Sequence, residues 1–144
     1  MRTRLPSDSE AVDTTRAEIV RLGSARRQGI RLPEAASEAL AAGDAVRLVF
    51  DDTEYHAVVA EDTRGRLIRG AYDNKRLAKT TGDGENRLAD WLRDLGRESG
   101  NSVAFDIVVD GEQYGLRAPG ERAIYTVKQG PRDSLASIAE DLDE

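Results

Sequence analysis

The segment GIRLPEAASEALAAGDAV, Gly29 to Val46, decides how the chain is read. Ile30-Arg31-Leu32 is a brief strand, and Pro33 stops it because proline offers no N–H to a ladder. Pro33 fits the first helical position, Glu34 suits the positive end of a helix, and Ala36, Ala39 and Leu40 make a short apolar face. Gly43 ends that helix and Asp44 opens the next strand. Such a strand-Pro-helix-Gly-Asp-strand unit is a compact piece for building a barrel.

Downstream the period changes to two. Val46, Leu48 and Phe50 alternate with Arg47 and Val49; Asp51-Asp52 turns the chain; and Tyr55, Ala57 and Val59 share one face of the return strand. Thr63-Arg64-Gly65 turns it again into a strand expected over Arg66 to Tyr72, so these three strands form a meander. Asn74 to Lys79 reads as a helical turn. Asn86 to Leu95 is the clearest helix, with Leu88, Trp91, Leu92 and Leu95 on one face, Asn86 as its cap and Gly96 as its stop. Val103 to Val109 and Tyr114 to Arg117 flank Asp110-Gly111, a strong hairpin signal, and Ala123 to Lys128 is a last strand.

The chain divides into a loose arm (1–13), a barrel domain (14–128) and a C-terminal amphipathic helix with an acidic tail (129–144), in which Leu135, Ile138, Ala139 and Leu142 share a face. The expected fold is α+β: a small, mainly antiparallel β-barrel of six to eight strands with two or three short helices. Val46, Leu48, Tyr55, Val59, Leu88, Leu92, Val103 and Phe105 should form its core, and Trp91 should join them.

The 144 residues suffice for one core, and the absence of cysteine excludes disulfides and thiolate metal sites. No apolar run reaches the roughly 20 residues of a membrane span, and MRTRLPSDSE is not a signal peptide, so a cytoplasmic location and no membrane partner are expected. Eighteen of the 21 basic residues are arginine, which suits a GC-rich genome, and the net charge of -6 suits a salt-rich cytosol. In that setting overall acidity argues little against a nucleic-acid partner.

Two local resemblances run in order along residues 14–118. Arg31-Leu32-Pro33, Leu40 and Gly43-Asp44-Ala45-Val46 resemble the hairpin unit of AbrB-type transcription regulators, with two fewer residues before the Gly-Asp turn. The segment RLADWLRDLGRESGNSVAF, ending at Phe105, resembles the helix and Gly-x-x-Val-x-Phe strand of B3-type DNA-binding pseudobarrels. The whole chain also resembles a small haloarchaeal family with similar stretches to GAYDNKRLA, from Gly70, and YGLRAPGE, from Tyr114. That last resemblance implies lineage rather than activity.

Charge supplies the candidate site. Arg64, Arg66, Arg69, Lys75, Arg76 and Lys79 face a single acid, Asp73, within residues 64–79, so this stretch carries +5 in a chain whose remainder carries -11. Such an island suits phosphate contact, arginine's planar fork giving oriented bonds; the competing reading is a solvated face paired to neighbouring acids. The B3-type resemblance implies two arms gripping DNA, one carrying Arg26 and Arg27, the other Arg64 and Arg66. Arg31 completes the basic set. Tyr72, Asp73 and Asn74 beside the island could meet bases or sugar, Asn pairing with adenine, or could simply form a turn and a helix cap.

Catalysis finds no support in the residue pattern. His56 is the sole histidine and has no companion ligands for a metal, no Gly-x-Ser-x-Gly elbow is present, and Gly82-Asp83-Gly84 lacks the Lys-Ser/Thr ending of a phosphate loop. Neither a cofactor nor a metal is expected. The sequence therefore points to a non-enzymatic nucleic-acid-binding protein, DNA in preference to RNA, of the regulator or chromatin-associated kind. The alternative is a protein-interaction or structural module that pairs with another copy through the barrel or the C-terminal helix.

Overall fold

The computed structural model describes residues 2–22, 27–80 and 84–128. Seven strands close into a barrel in the order β2 (Asp13–Leu22), β3 (Arg27–Arg31), β6 (Gly65–Ile68), β5 (Thr53–Asp62), β4 (Ala45–Phe50), β8 (Gln113–Arg117) and β7 (Ser102–Val109). Neighbours in a ring of seven cannot all alternate in direction. The one parallel seam joins β4 to β8, with Leu48 opposite Tyr114, and every other pair in the ring is antiparallel. The expected small mainly antiparallel barrel is what forms.

The meander follows its local code. Val46, Leu48 and Phe50 are buried while the residues between them are half-exposed, and Asp51 and Asp52 both take positive φ, 54° and 58°. Two successive left-handed residues make the hairpin turn whose twist matches that of the strands it joins. Seven of the eight expected core side chains are buried; Tyr55 is half-buried because it lies near this turn, where it stacks on Phe50 with ring centroids 4.5 Å apart.

Among the described residues three short helices serve the ring: α1 (Glu34–Ser37), α2 (Lys75–Lys79) and α3 (Arg87–Leu95). Helix α3 buries Leu88 and Leu92 in the core, starts at the side chain of Asn86 and stops at Gly96, whose φ is +70°. Trp91, expected in the core, is half-buried instead, with its ring 5.3 Å from that of Phe50. Helix α1 is shorter than its alanine content suggests. Pro33 is its cap rather than its first residue, and the chain turns out of it early, burying Ala36 and Leu40.

The N-terminal segment expected as a loose arm contains a strand, β1 (Arg2–Pro6), paired antiparallel with β9 (Ile124–Lys128) from Arg2↔Lys128 to Pro6↔Ile124. Ser7 and Val12 are buried behind it. This ribbon is fastened to the outside of the barrel by Tyr125. Its ring lies over Gly115, where a Cβ would collide with it, and its hydroxyl bonds the buried carboxylate of Asp106. That carboxylate also receives Thr14 Oγ1 at 2.6 Å and Arg117 Nε at 2.8 Å. Gln113, likewise buried, donates from Nε2 to the Thr126 carbonyl at 3.2 Å. The helix expected over Pro131 to Leu142 lies outside the described residues.

Candidate nucleic-acid interface

Strand β6 ends at Ile68, earlier than the expected Tyr72, and the break shapes the site. Tyr72 returns to β5 as a single bridge in which its N–H and carbonyl both bond His56, each at 2.8 Å. Across the gap the carboxamide of Asn86 takes the place of a strand. Its Nδ2 donates to the Arg69 carbonyl at 3.1 Å, and its Oδ1 accepts from Ala71 N at 3.2 Å and Ala89 N at 3.1 Å. One side chain thus caps α3 and holds the chain at Arg69–Ala71.

The neighbouring polar residues are similarly engaged. Asp73 forms a two-pronged ion pair with Arg87, at 3.0 and 3.1 Å, which holds its carboxyl below the usual range. Asn74 Oδ1 accepts from Leu77 N at 2.8 Å and caps α2. The turn-and-cap reading of Asp73-Asn74 is therefore the one the geometry supports.

The basic residues part into two groups. Arg31 is clamped to Asp62 by bonds of 2.7 and 2.9 Å, and together with the Arg64 N–H it pulls the Asp62 carboxyl far below its ordinary value. Arg66 turns onto Ser37, donating to its carbonyl at 3.0 Å. Both serve the fold. Arg64, Arg69, Lys75, Arg76 and Lys79 are exposed, and none makes an ion pair among the described residues. Arg26 lies outside those residues, as does the side chain of Arg27.

The backbone that would carry the two expected arms is spread along β6, and the loop at Arg26 lies outside the described residues. Ile30 pairs with Ile68 and Arg31 with Leu67, so Arg27 starts β3 near the Gly70 end of β6 whereas the Arg64 turn lies at the opposite end. Five residues of strand put about 17 Å between the two arms. What the fold does bring together is a hollow of about 580 Å³ with Arg69, Tyr72 and Lys79 among its walls and Val58 and Ala60 of β5 beneath. The spacing of charges in the sequence gave no sign of it.

Among the described residues no helix is long and apolar enough to cross a membrane, and no three His, Asp or Glu side chains are grouped to hold a metal ion. Comparison with protein families gives one match, to a family of unknown function, DUF7112, over residues 1–142. The chain belongs to the DUF7112 family. The match takes in the ribbon, all seven barrel strands and the basic segment, so DUF7112 describes the whole architecture rather than a module within it. No curated protein and no solved structure matches this DUF7112 chain.

Proposed function

We propose that this DUF7112 chain is a non-enzymatic nucleic-acid-binding protein, acting in the cytoplasm as a regulator or chromatin-associated factor, that meets phosphate through Arg69, Lys75, Arg76 and Lys79. The observation that carries the proposal is a cluster of unpaired cations. Arg31, Arg47, Arg87, Arg93, Arg117 and Arg122 each contact a carboxylate; Arg4, Arg16, Arg21 and Arg97 make no ion pair among the described residues but are scattered along the chain, whereas Arg64, Arg69, Lys75, Arg76 and Lys79 are unpaired there within a single run of sixteen residues. An acidic chain that leaves its densest run of cations unneutralised has a surface suited to an external anion, and a polyphosphate backbone offers the matching repeat. The B3-type resemblance and the barrel fold fit this reading, with DNA preferred to RNA.

Four phosphate contacts predict a steep salt response. The logarithm of the binding constant should fall with a slope of about -3.6 against that of salt on duplex DNA, or about a hundredfold between 50 and 200 mM. Anisotropy titrations of labelled duplex and single strands over that range test it, and a flat response would refute phosphate-driven binding. A salt-rich cytosol, which the composition suits, would leave shape and stacking to supply more of the affinity.

One observation favours the alternative, a protein partner. Ile124, 44 % exposed, is the exposed large apolar side chain of the described residues, and it borders a cleft of about 640 Å³ between the ribbon and the β4–β5 hairpin, lined also by Arg4, Glu54 and Arg122.

A further inference from the structure

We infer that the hollow beside Arg69 and Lys79 receives one unpaired nucleotide of a single strand, its base against Tyr72 and its phosphate between the two cations. This rests on the nucleic-acid reading and specifies the form of the ligand. Shape is the first argument. A duplex presents a convex ridge of phosphates, which needs exposed cations but no cavity, whereas this concave space of about 580 Å³ is in the range that holds small molecules.

The walls give the second argument. Gly43, Val58, Ala60, Ala78 and Gly84 supply small apolar surfaces that let a flat ring come close. Tyr72 stands beside them on a backbone fixed to His56 by two hydrogen bonds, so only its two side-chain torsions remain to be ordered when the ring acts as a platform. Exposed Arg69 and Lys79 share the hollow, where a phosphate attached to such a base would lie.

The third argument concerns selectivity. The other polar side chains of the hollow are already engaged: Asn86 with Arg69, Ala71 and Ala89, and Thr80 Oγ1 with the Arg76 carbonyl. Asn86 keeps one Nδ2 N–H and Thr80 its hydroxyl lone pairs, so neither offers the paired donor and acceptor that reads a base edge in a bidentate way. Recognition by stacking and charge is tolerant of base identity, so the site should take different bases with similar affinity.

The test uses the full chain with labelled oligodeoxythymidylate, oligodeoxyadenylate and the duplex of the two at low salt. Single strands should bind more tightly than the duplex and within a few-fold of each other. Tyr72→Ala should weaken single-strand binding by about five- to a hundredfold without changing its salt slope, while Tyr72→Phe retains it. Arg69→Gln with Lys79→Gln should instead reduce the slope by about 1.4. Because Tyr72 is half-buried, Ala60→Phe provides a second variant that fills the hollow from its floor and should abolish the single-strand preference. Equal binding of duplex and single strands, or full single-strand affinity in Ala60→Phe, overturns the inference while leaving the nucleic-acid reading intact. No binding of any of the three probes overturns both.

Discussion

The carboxamide of Asn86 occupies the place that a side chain at residue 70 would need: a Cβ on Gly70 would lie 2.6 Å from Asn86 Nδ2. This contact joins the end of β6 to the start of α3 and sets the course of the backbone that carries Arg69. Gly70→Ala must displace the Asn86 carboxamide from the hydrogen bonds it makes to Arg69, Ala71 and Ala89. Asn86→Ala loses a helix cap, worth about 0.5–2 kcal/mol, and strands the Arg69 carbonyl and Ala71 N–H. Both variants should lower urea-unfolding stability by about 2–4 kcal/mol. A loss below about 0.5 kcal/mol in Asn86→Ala would show that solvent replaces the bonds freely.

The ribbon should depend on Asp106. Its carboxylate is fully buried and paired with Arg117, so Asp106→Ala leaves a cation without its partner, a change that costs about 3–5 kcal/mol in buried pairs. Gly115→Ala strikes the Tyr125 ring from beneath and should free β1 and β9 while sparing the barrel. Hydrogen exchange would then show lost protection at Thr3–Leu5 and Tyr125–Val127 alone; unchanged protection there would contradict the role given to Tyr125.

Alkaline titration should expose the same buried groups. Burial pushes the Tyr114 hydroxyl up to about 12, and burial beside Asp106 raises that of Tyr125 further. A raised folded-state value means that stability is complete below the unfolded tyrosine value of about 10 and is lost as pH climbs through the folded value. Stability should therefore decline from about pH 10 upward, less steeply in Tyr125→Phe. At the acid end Asp62 and Asp73, both lowered by arginine partners, give stability that is present above about pH 4 and lost below it. Denaturation midpoints across pH would check both limbs; identical alkaline limbs in wild type and Tyr125→Phe would remove Tyr125 from the account.

Trp91→Ala should cost about 1–3 kcal/mol, less than the 3–5 expected of a fully buried aromatic, because the ring is covered on one side by Phe50 and opens on the other to a cleft beside Tyr125. Its fluorescence should respond to quenchers before unfolding. A fully shielded spectrum would place the ring in the core after all.

What could be read from the sequence was what is encoded locally. The meander is written in alternation and in Asp51-Asp52, and α3 in its four apolar positions between Asn86 and Gly96. The ribbon was illegible because RTRLP finds its partner across the entire barrel, with no turn to announce the pairing. Alternation alone puts Asp106 on the solvent face of β7, opposite Phe105; it is buried where Thr14, Arg117 and Tyr125 of the docked β9 meet its carboxylate. The island was legible as charge but not as a surface. Arg31 and Arg66 belong to strands that set them against Asp62 and Ser37, whereas Arg69 follows the break in β6 and Lys79 ends α2, so both remain exposed.

The most direct test of the central claim is a titration of labelled single-stranded and duplex DNA at the lowest salt the chain tolerates, with wild type and a variant carrying Arg69→Glu, Lys75→Glu, Arg76→Glu and Lys79→Glu. The account predicts binding by wild type, its loss on charge reversal and a melting temperature little changed between the two, since none of the four side chains is paired among the described residues. Absence of wild-type binding where screening is weakest, or equal binding by the reversed variant, would contradict it.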